Sequence, residues 1–123
     1  MTKILLVEDE LTLHKALKEF LEEAGFEIIS AFNGEDAVAL VKSSKPDLIL
    51  LDIILPKKDG FEVMADLKLD EKIQKVPVVL LTNLESAENI QKAFDAGATT
   101  YLVKSNYKLE DIVKKIKEIL KCA

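Results

Sequence analysis

The sequence predicts an α/β domain built on a doubly wound, five-stranded parallel sheet. Three observations predict it. Five short apolar runs punctuate the 123 residues, and a segment of helical spacing follows each one. Three of the runs are continuous rather than alternating, as expected for strands covered on both faces. Five such units are too few to close an eight-stranded barrel, so the sheet should be open.

The first run, Ile4-Leu5-Leu6-Val7, is continuous. From Leu11 to Ala24, the residues Leu13, Leu17, Phe20, Leu21 and Ala24 share one broad helical face, while Lys15, Lys18, Glu19, Glu22 and Glu23 point elsewhere. Gly25 is placed to end that helix as a left-handed cap. The second run, Phe26-Glu27-Ile28-Ile29, carries a polar position and suits an edge or near-edge strand. Asn33-Gly34-Glu35-Asp36 then reads as a helix start, with Asn33 capping and acidic residues in the first turn. The third run, Leu48-Ile49-Leu50-Leu51, is continuous, and Asp59-Gly60-Phe61-Glu62 opens the next helix in the same manner. The fourth run, Val78-Val79-Leu80-Leu81, is also continuous. Ala87, Ile90 and Phe94 mark the helix after it, closed by Gly97. The fifth run, Thr100-Tyr101-Leu102-Val103, again suits an edge or near-edge position. Leu109, Ile112, Val113, Ile116, Ile119 and Leu120 mark the last helix, whose other face is mostly Lys. Strand–helix–strand crossovers of this kind are right-handed in nearly all cases. No Gly/Ser/Pro linker, repeat or low-complexity tract interrupts the chain, so residues 1–123 read as a single domain.

Composition narrows the function classes. The chain is 49% hydrophobic, enough for one sizeable core at this length. The net charge of −5 argues against a direct nucleic-acid binder, whose affinity rests on cationic side chains neutralising phosphates. All 17 basic residues are Lys, so any bound anion is held by ammonium, hydroxyl or main-chain N–H groups rather than by a guanidinium fork. The single cysteine, Cys122, reads as a solvent-exposed free thiol in a reducing compartment. Met1-Thr2-Lys3 leads directly into an apolar run with no signal-peptide pattern, and no apolar stretch approaches the roughly 20 residues needed to span a bilayer. A soluble, cytoplasmic protein without membrane contact is expected.

In an open parallel sheet, ligands bind beyond the carboxyl ends of the strands. The residues there are Glu8 and Asp9 after the first run, Asp52 after the third, Thr82 after the fourth and Lys104 after the fifth. Each alone has an ordinary explanation as a cap, a turn residue or a solvated charge. Together they are three carboxylates, a hydroxyl and an ammonium at one edge. Gathered carboxylates repel one another, and a hard cation such as Mg²⁺ relieves that cost. A carboxylate beside such a cation can act as a nucleophile and accept a phosphoryl group, with Lys104 and Thr82 suited to hold its oxygens.

The order Val7-Glu8-Asp9-Glu10, Leu51-Asp52-Ile53-Ile54-Leu55-Pro56-Lys57-Lys58-Asp59-Gly60, Leu80-Leu81-Thr82 and Leu102-Val103-Lys104 resembles the receiver domain of two-component response regulators. The resemblance covers essentially the whole chain. It implies a flavodoxin-like (βα)5 fold with strand order 2-1-3-4-5. It implies that Asp52 is the phosphoacceptor, and that Asp9, Asp52 and the main-chain carbonyl of Ile54 ligate Mg²⁺, with Glu8 acting through water. Thr82 and Lys104 would bind the phosphoryl group. Thr82 and Tyr101 would form the switch, read at the face of helix 4, strand 5 and helix 5. The donor would be a sensor histidine kinase or phosphotransfer protein. The chain would be a stoichiometric phosphoacceptor with self-catalysed transfer and dephosphorylation, not a turnover enzyme. A downstream protein target and a phosphorylation-dependent homodimer are the outputs the resemblance suggests.

Three positions depart from the family pattern. Glu8 stands where Asp is more usual, Asn83 where a small residue is common, and Ser105 where Pro often follows the lysine. Without Pro, a cis Lys104–Ser105 bond costs about 3 kcal/mol, so either a trans bond with a rearranged loop or a strained cis bond is expected. His14, the only histidine, reads as a solvated surface residue. Alternative readings are a Mg²⁺-dependent phosphatase with an aspartyl nucleophile, a flavodoxin-type nucleotide module, and a receiver-like domain that no longer accepts phosphate. The first lacks a second acid/base carboxylate beside Asp52. The second lacks a Gly-rich loop where Glu8-Asp9-Glu10 stands. The intact Asp52, Thr82 and Lys104 argue against the third. Since the sequence ends soon after Leu120, a stand-alone receiver and the receiver piece of a longer regulator are both expected possibilities.

Overall fold

The computed structural model describes residues 1–122, with the side chain of Cys122 left aside. The expectation of an exposed thiol there lies outside the described residues. Strands and helices alternate: β1 Lys3–Val7, α1 Leu11–Glu23, β2 Glu27–Ala31, α2 Gly34–Ser44, β3 Leu48–Leu51, α3 Gly60–Lys68, β4 Val78–Thr82, α4 Ala87–Asp95, β5 Thr100–Val103 and α5 Leu109–Cys122. A single turn of 3-10 helix, Lys104–Asn106, separates β5 from α5. All strand pairings are parallel, and the order is β2-β1-β3-β4-β5. The doubly wound α/β sheet is therefore as the sequence predicts.

The three continuous runs are the three inner strands, and their alternate residues feed two separate cores. Leu5, Val7, Ile49, Leu51 and Leu80 point toward α2, α3 and α4, where Ala37, Val41, Val63, Leu67 and Ala93 meet them. Ile4, Leu6, Leu48, Leu50, Val79 and Leu81 point toward α1 and α5, where Leu17, Leu21, Ile112 and Ile116 meet them. With helices on both faces, a β residue has no solvent side, so its pattern loses alternation.

Helix ends follow local chemistry. Asn33 Oδ1 accepts the Asp36 N–H at 2.8 Å. Asp59 and Glu62 form a reciprocal capping box, and Ser86 Oγ accepts the Asn89 N–H at 3.2 Å. Gly25 and Gly97 follow α1 and α4 with φ of 97° and 103°, the left-handed conformation expected of them.

Three details correct the sequence reading. β2 runs two residues further than its apolar run, since Glu27 to Ala31 pair in register with Lys3 to Val7. Phe20 and Phe94, assigned to buried faces, are 41% and 45% exposed. The positions next to the sheet are taken by Leu17, Leu21 and His14 in α1 and by Ala93 in α4. Among the described residues, no helix is long and apolar enough to cross a membrane.

Candidate functional site

The carboxyl ends of β1, β3, β4 and β5 bring five predicted residues to one edge. Asp52 leaves β3 with its N–H on the Val7 carbonyl at 3.1 Å, which locks it beside the end of β1. Its Oδ1 accepts the Ile54 N–H at 3.3 Å and its Oδ2 accepts Lys104 Nζ at 2.6 Å. Gly60 explains how the chain turns here. A Cβ at residue 60 would stand 2.6 Å from the Asp52 carbonyl oxygen, and the Gly60 N–H donates to the Ile53 carbonyl at 2.7 Å. The start of α3 is thereby pressed against the main chain that carries Asp52.

Glu8 and Asp52 are both buried. The Glu8 carboxylate accepts Lys104 Nζ at 2.6 Å through one oxygen and the Glu10 N–H at 3.0 Å through the other. Lys104 thus spans two carboxylates from different strands. Burial raises the Glu8 carboxyl above its ordinary range, against the lowering effect of Lys104 and the Glu10 N–H. Burial opposes the charge on Lys104, but the bonds to Asp52 and Glu8 outweigh it and hold the ammonium above its ordinary value. Asp9 is exposed, and its carboxylate completes a group with Glu8 and Asp52 whose ligand oxygens all lie within 4.8 Å of one another. Three converging carboxylate oxygens are the donor set of a hard cation.

Thr82 closes β4, fully buried, opposite Val103 in the ladder and so one residue from Lys104. Its Oγ1 accepts the Leu84 N–H at 3.4 Å. Tyr101 lies in β5 on the α4 side of the sheet, half-buried, and its hydroxyl donates to the Leu84 carbonyl at 2.5 Å. Thr82 and Tyr101 therefore grip the same residue of the β4–α4 loop from two strands. The Lys104–Ser105 bond is trans, one of the two alternatives expected in the absence of Pro, and the chain passes into the Lys104–Asn106 turn. The Asn83 side chain is exposed.

His14 contradicts the solvated reading. It is buried, with Nδ1 at 2.8 Å from the Glu8 carbonyl and Nε2 at 2.8 Å from Ser30 Oγ. Phe32 stacks on its ring with centroids 4.2 Å apart. Burial lowers its basicity. Ser30 and Phe32 belong to this packing. One signal could have found His14: it precedes Leu17 by three residues and Leu21 by seven, on the buried stripe of α1.

Residues 4–117 match the family model of the response regulator receiver domain. The chain belongs to that family. Among curated relatives of this receiver domain, the transcriptional regulatory protein CiaR of Streptococcus pneumoniae is 40% identical over 121 residues, covering 98% of this chain and 52% of CiaR. The DNA-binding dual master transcriptional regulator RpaA of Synechocystis sp. is 35% identical over 121 residues, covering 98% of this chain and 50% of RpaA. The chain thus spans about half the length of the curated relatives it matches. A two-component response regulator from Clostridium difficile is 36% identical with a TM-score of 0.89, covering 98% of this chain and 97% of that one. The phosphorylated cyanobacterial phytochrome response regulator RcpA is 34% identical with a TM-score of 0.83, covering 96% of this chain and 90% of that one. The protein is a signalling domain homologous to response regulators, and its acidic cluster can hold a metal ion.

Proposed function

We propose that residues 1–123 form one phosphorylatable receiver and that Asp52 is its acceptor. The observation that carries this reading is the Asp52 carboxylate itself: buried, bonded to Lys104 at 2.6 Å, and grouped with Glu8 and Asp9. Asp52 attacks the phosphorus of a phosphohistidine on a sensor kinase or phosphotransfer protein. An O–P bond forms, the P–N bond breaks, and the imidazole leaves. Lys104 turns from Glu8 and Asp52 to a phosphoryl oxygen, and the Thr82 hydroxyl bonds another.

The all-oxygen set of Glu8, Asp9 and Asp52 fits Mg²⁺; Asp9, Asp52 and the Ile54 carbonyl would ligate it, with Glu8 acting through water. Bound Mg²⁺ would neutralise the gathered negative charge and leave the transfer to in-line positioning. The reaction is stoichiometric: one phosphate per chain, with dephosphorylation at the same site. Thr82 and Tyr101, both held to Leu84, are the switch that reports the phosphate to α4, β5 and α5, a surface for a downstream cytoplasmic protein or for a second copy of this chain. The phosphorylated state named for RcpA supports this reading.

Intact-mass measurement after incubation with acetyl phosphate tests it. One Mg²⁺-dependent phosphate per chain is expected, and Asp52→Asn should abolish it. Labelling that survives Asp52→Asn would refute the assignment. Light scattering with and without beryllofluoride tests the homodimer, which an unchanged mass would exclude. The half-length match to curated relatives also supports a second reading, in which this receiver controls an output domain in a longer regulator. Sequencing the gene past codon 123 decides that reading.

A further inference from the structure

Of the four buried polar or charged side chains described, Glu8, Asp52 and Thr82 have parts in the reaction proposed above, and His14 has none. Yet both nitrogens of His14 are held. Its Nδ1 meets the Glu8 carbonyl and its Nε2 meets Ser30 Oγ, each at 2.8 Å, while Phe32 covers its face at an interplanar angle of 22°. A carbonyl oxygen can only accept, so Nδ1 carries the hydrogen. In the neutral ring Nε2 is then bare and accepts the Ser30 hydroxyl. The ring is a bolt through the ends of β1 and β2 and the first turn of α1.

What it bolts is the β1–α1 turn. The Glu8 N–H is tied to the Ala31 carbonyl at 3.2 Å, and the Glu8 carboxylate to Lys104 and the Glu10 N–H. The Glu8 carbonyl is tied to His14. Asp9 follows immediately, and no hydrogen bond orients its exposed carboxylate among the described residues. Its position is inherited from the main chain, and the His14 bond fixes that main chain at the peptide joining Glu8 to Asp9.

We propose that His14 is a positioning residue for the cation-binding edge: its Nδ1–H, held on the Glu8 carbonyl, sets the turn from which Glu8 and Asp9 present their carboxylates. This inference rests on the reading of that edge as a cation site. Groups behind metal ligands act in this way, orienting without touching the ion.

The test is calorimetric titration of the 123-residue chain with Mg²⁺ alone, in variants that separate the two ring edges. The Asn amide N–H stands where Nδ1 stands, whereas the Gln amide reaches to the place of Nε2. His14→Leu and His14→Gln should weaken Mg²⁺ binding about tenfold, and His14→Asn should stay within about twofold of wild type. Urea unfolding without cation reports the stability of each variant separately, so that affinities are compared only where each is folded. Equal loss in Asn and Leu variants, or no loss in any, would overturn the proposal. A second readout is independent of the cation. ¹⁵N NMR of the imidazole at neutral pH should show the Nδ1–H tautomer, and an Nε2–H ring would overturn the proposal whatever the affinities. A wild type that binds no Mg²⁺ would overturn the cation reading and this inference together, an outcome distinct from a failure confined to the His14 variants.

Discussion

Lys104 holds two carboxylates with one ammonium, and that is the source of its leverage. Both acids are buried, and removing their shared cation leaves two like charges in a poorly solvated place. Lys104→Met should therefore cost about 3 kcal/mol in urea unfolding without divalent cation. If the proposed cation site is real, Mg²⁺ should restore part of that loss, because it would place positive charge beside the same carboxylates. A Lys104→Met chain of wild-type stability would refute the role of Lys104 as the balancing charge. Tyr101 gives a pH-dependent prediction. Burial first, and the negative charge of Asp52 second, raise its phenol above the ordinary value of about 10. The folded chain favours the neutral phenol. Its contribution to stability is complete below the unfolded value and is lost as pH climbs through the higher folded one. In a Tyr107→Phe background, phenolate absorbance should reach its midpoint above pH ~10, and adding Asp52→Asn should lower that midpoint. Asp52, Asp9, Thr82 and Lys104 were legible in the sequence because each stands at or just past the end of an apolar run, and parallel strands deliver their carboxyl ends to one edge. His14 was not. A lone polar residue in a helix reads as solvated; its register with Leu17 and Leu21 was the one hint of burial, while the partners that satisfy it, Glu8 and Ser30, are brought to it only by the fold.

At the scale of elements, the entry to α3 is packed tightly against the main chain of the site. Gly60 touches the main chain of Asp52 and Ile53 where a methyl group has no room. Gly60→Ala should cost about 2 kcal/mol, read as a lower urea midpoint, because backbone rather than a flexible side chain must yield. A silent substitution would mean that the β3–α3 loop is free to retreat. The caps Asn33 and Asp59 were visible as sequence patterns because the capping bond is local. The extent of β2 was not, since pairing with β1, rather than its own hydrophobicity, carries it to Ala31. Phe20 and Phe94 misled for a related reason: a large apolar residue at the border of a helical face still counts toward periodicity, while the small Ala93 takes the close contact.

The molecule as a whole is two cores divided by one sheet. Neighbouring residues of an inner strand serve different cores: Leu50 faces α1 and α5, and Leu51 faces α2, α3 and α4. Leu50→Ala and Leu51→Ala should each cost about 2–5 kcal/mol. A sheet with one solvated face would make one of the pair nearly silent, so unequal urea midpoints of that kind would contradict the doubly covered arrangement. Fold class was readable from composition of the runs alone, because burial on both faces writes itself as unbroken hydrophobicity. Strand order was not readable that way and came from resemblance.

The Tyr101 hydroxyl lands on the main-chain carbonyl of Leu84, not on a side chain. Every amino acid offers that carbonyl. The contact therefore survives any substitution at residue 84 that leaves the loop's path intact, and only a change at Tyr101 itself deletes its donor. Sequence drift can rewrite the side chains of the β4–α4 loop without disconnecting it from β5.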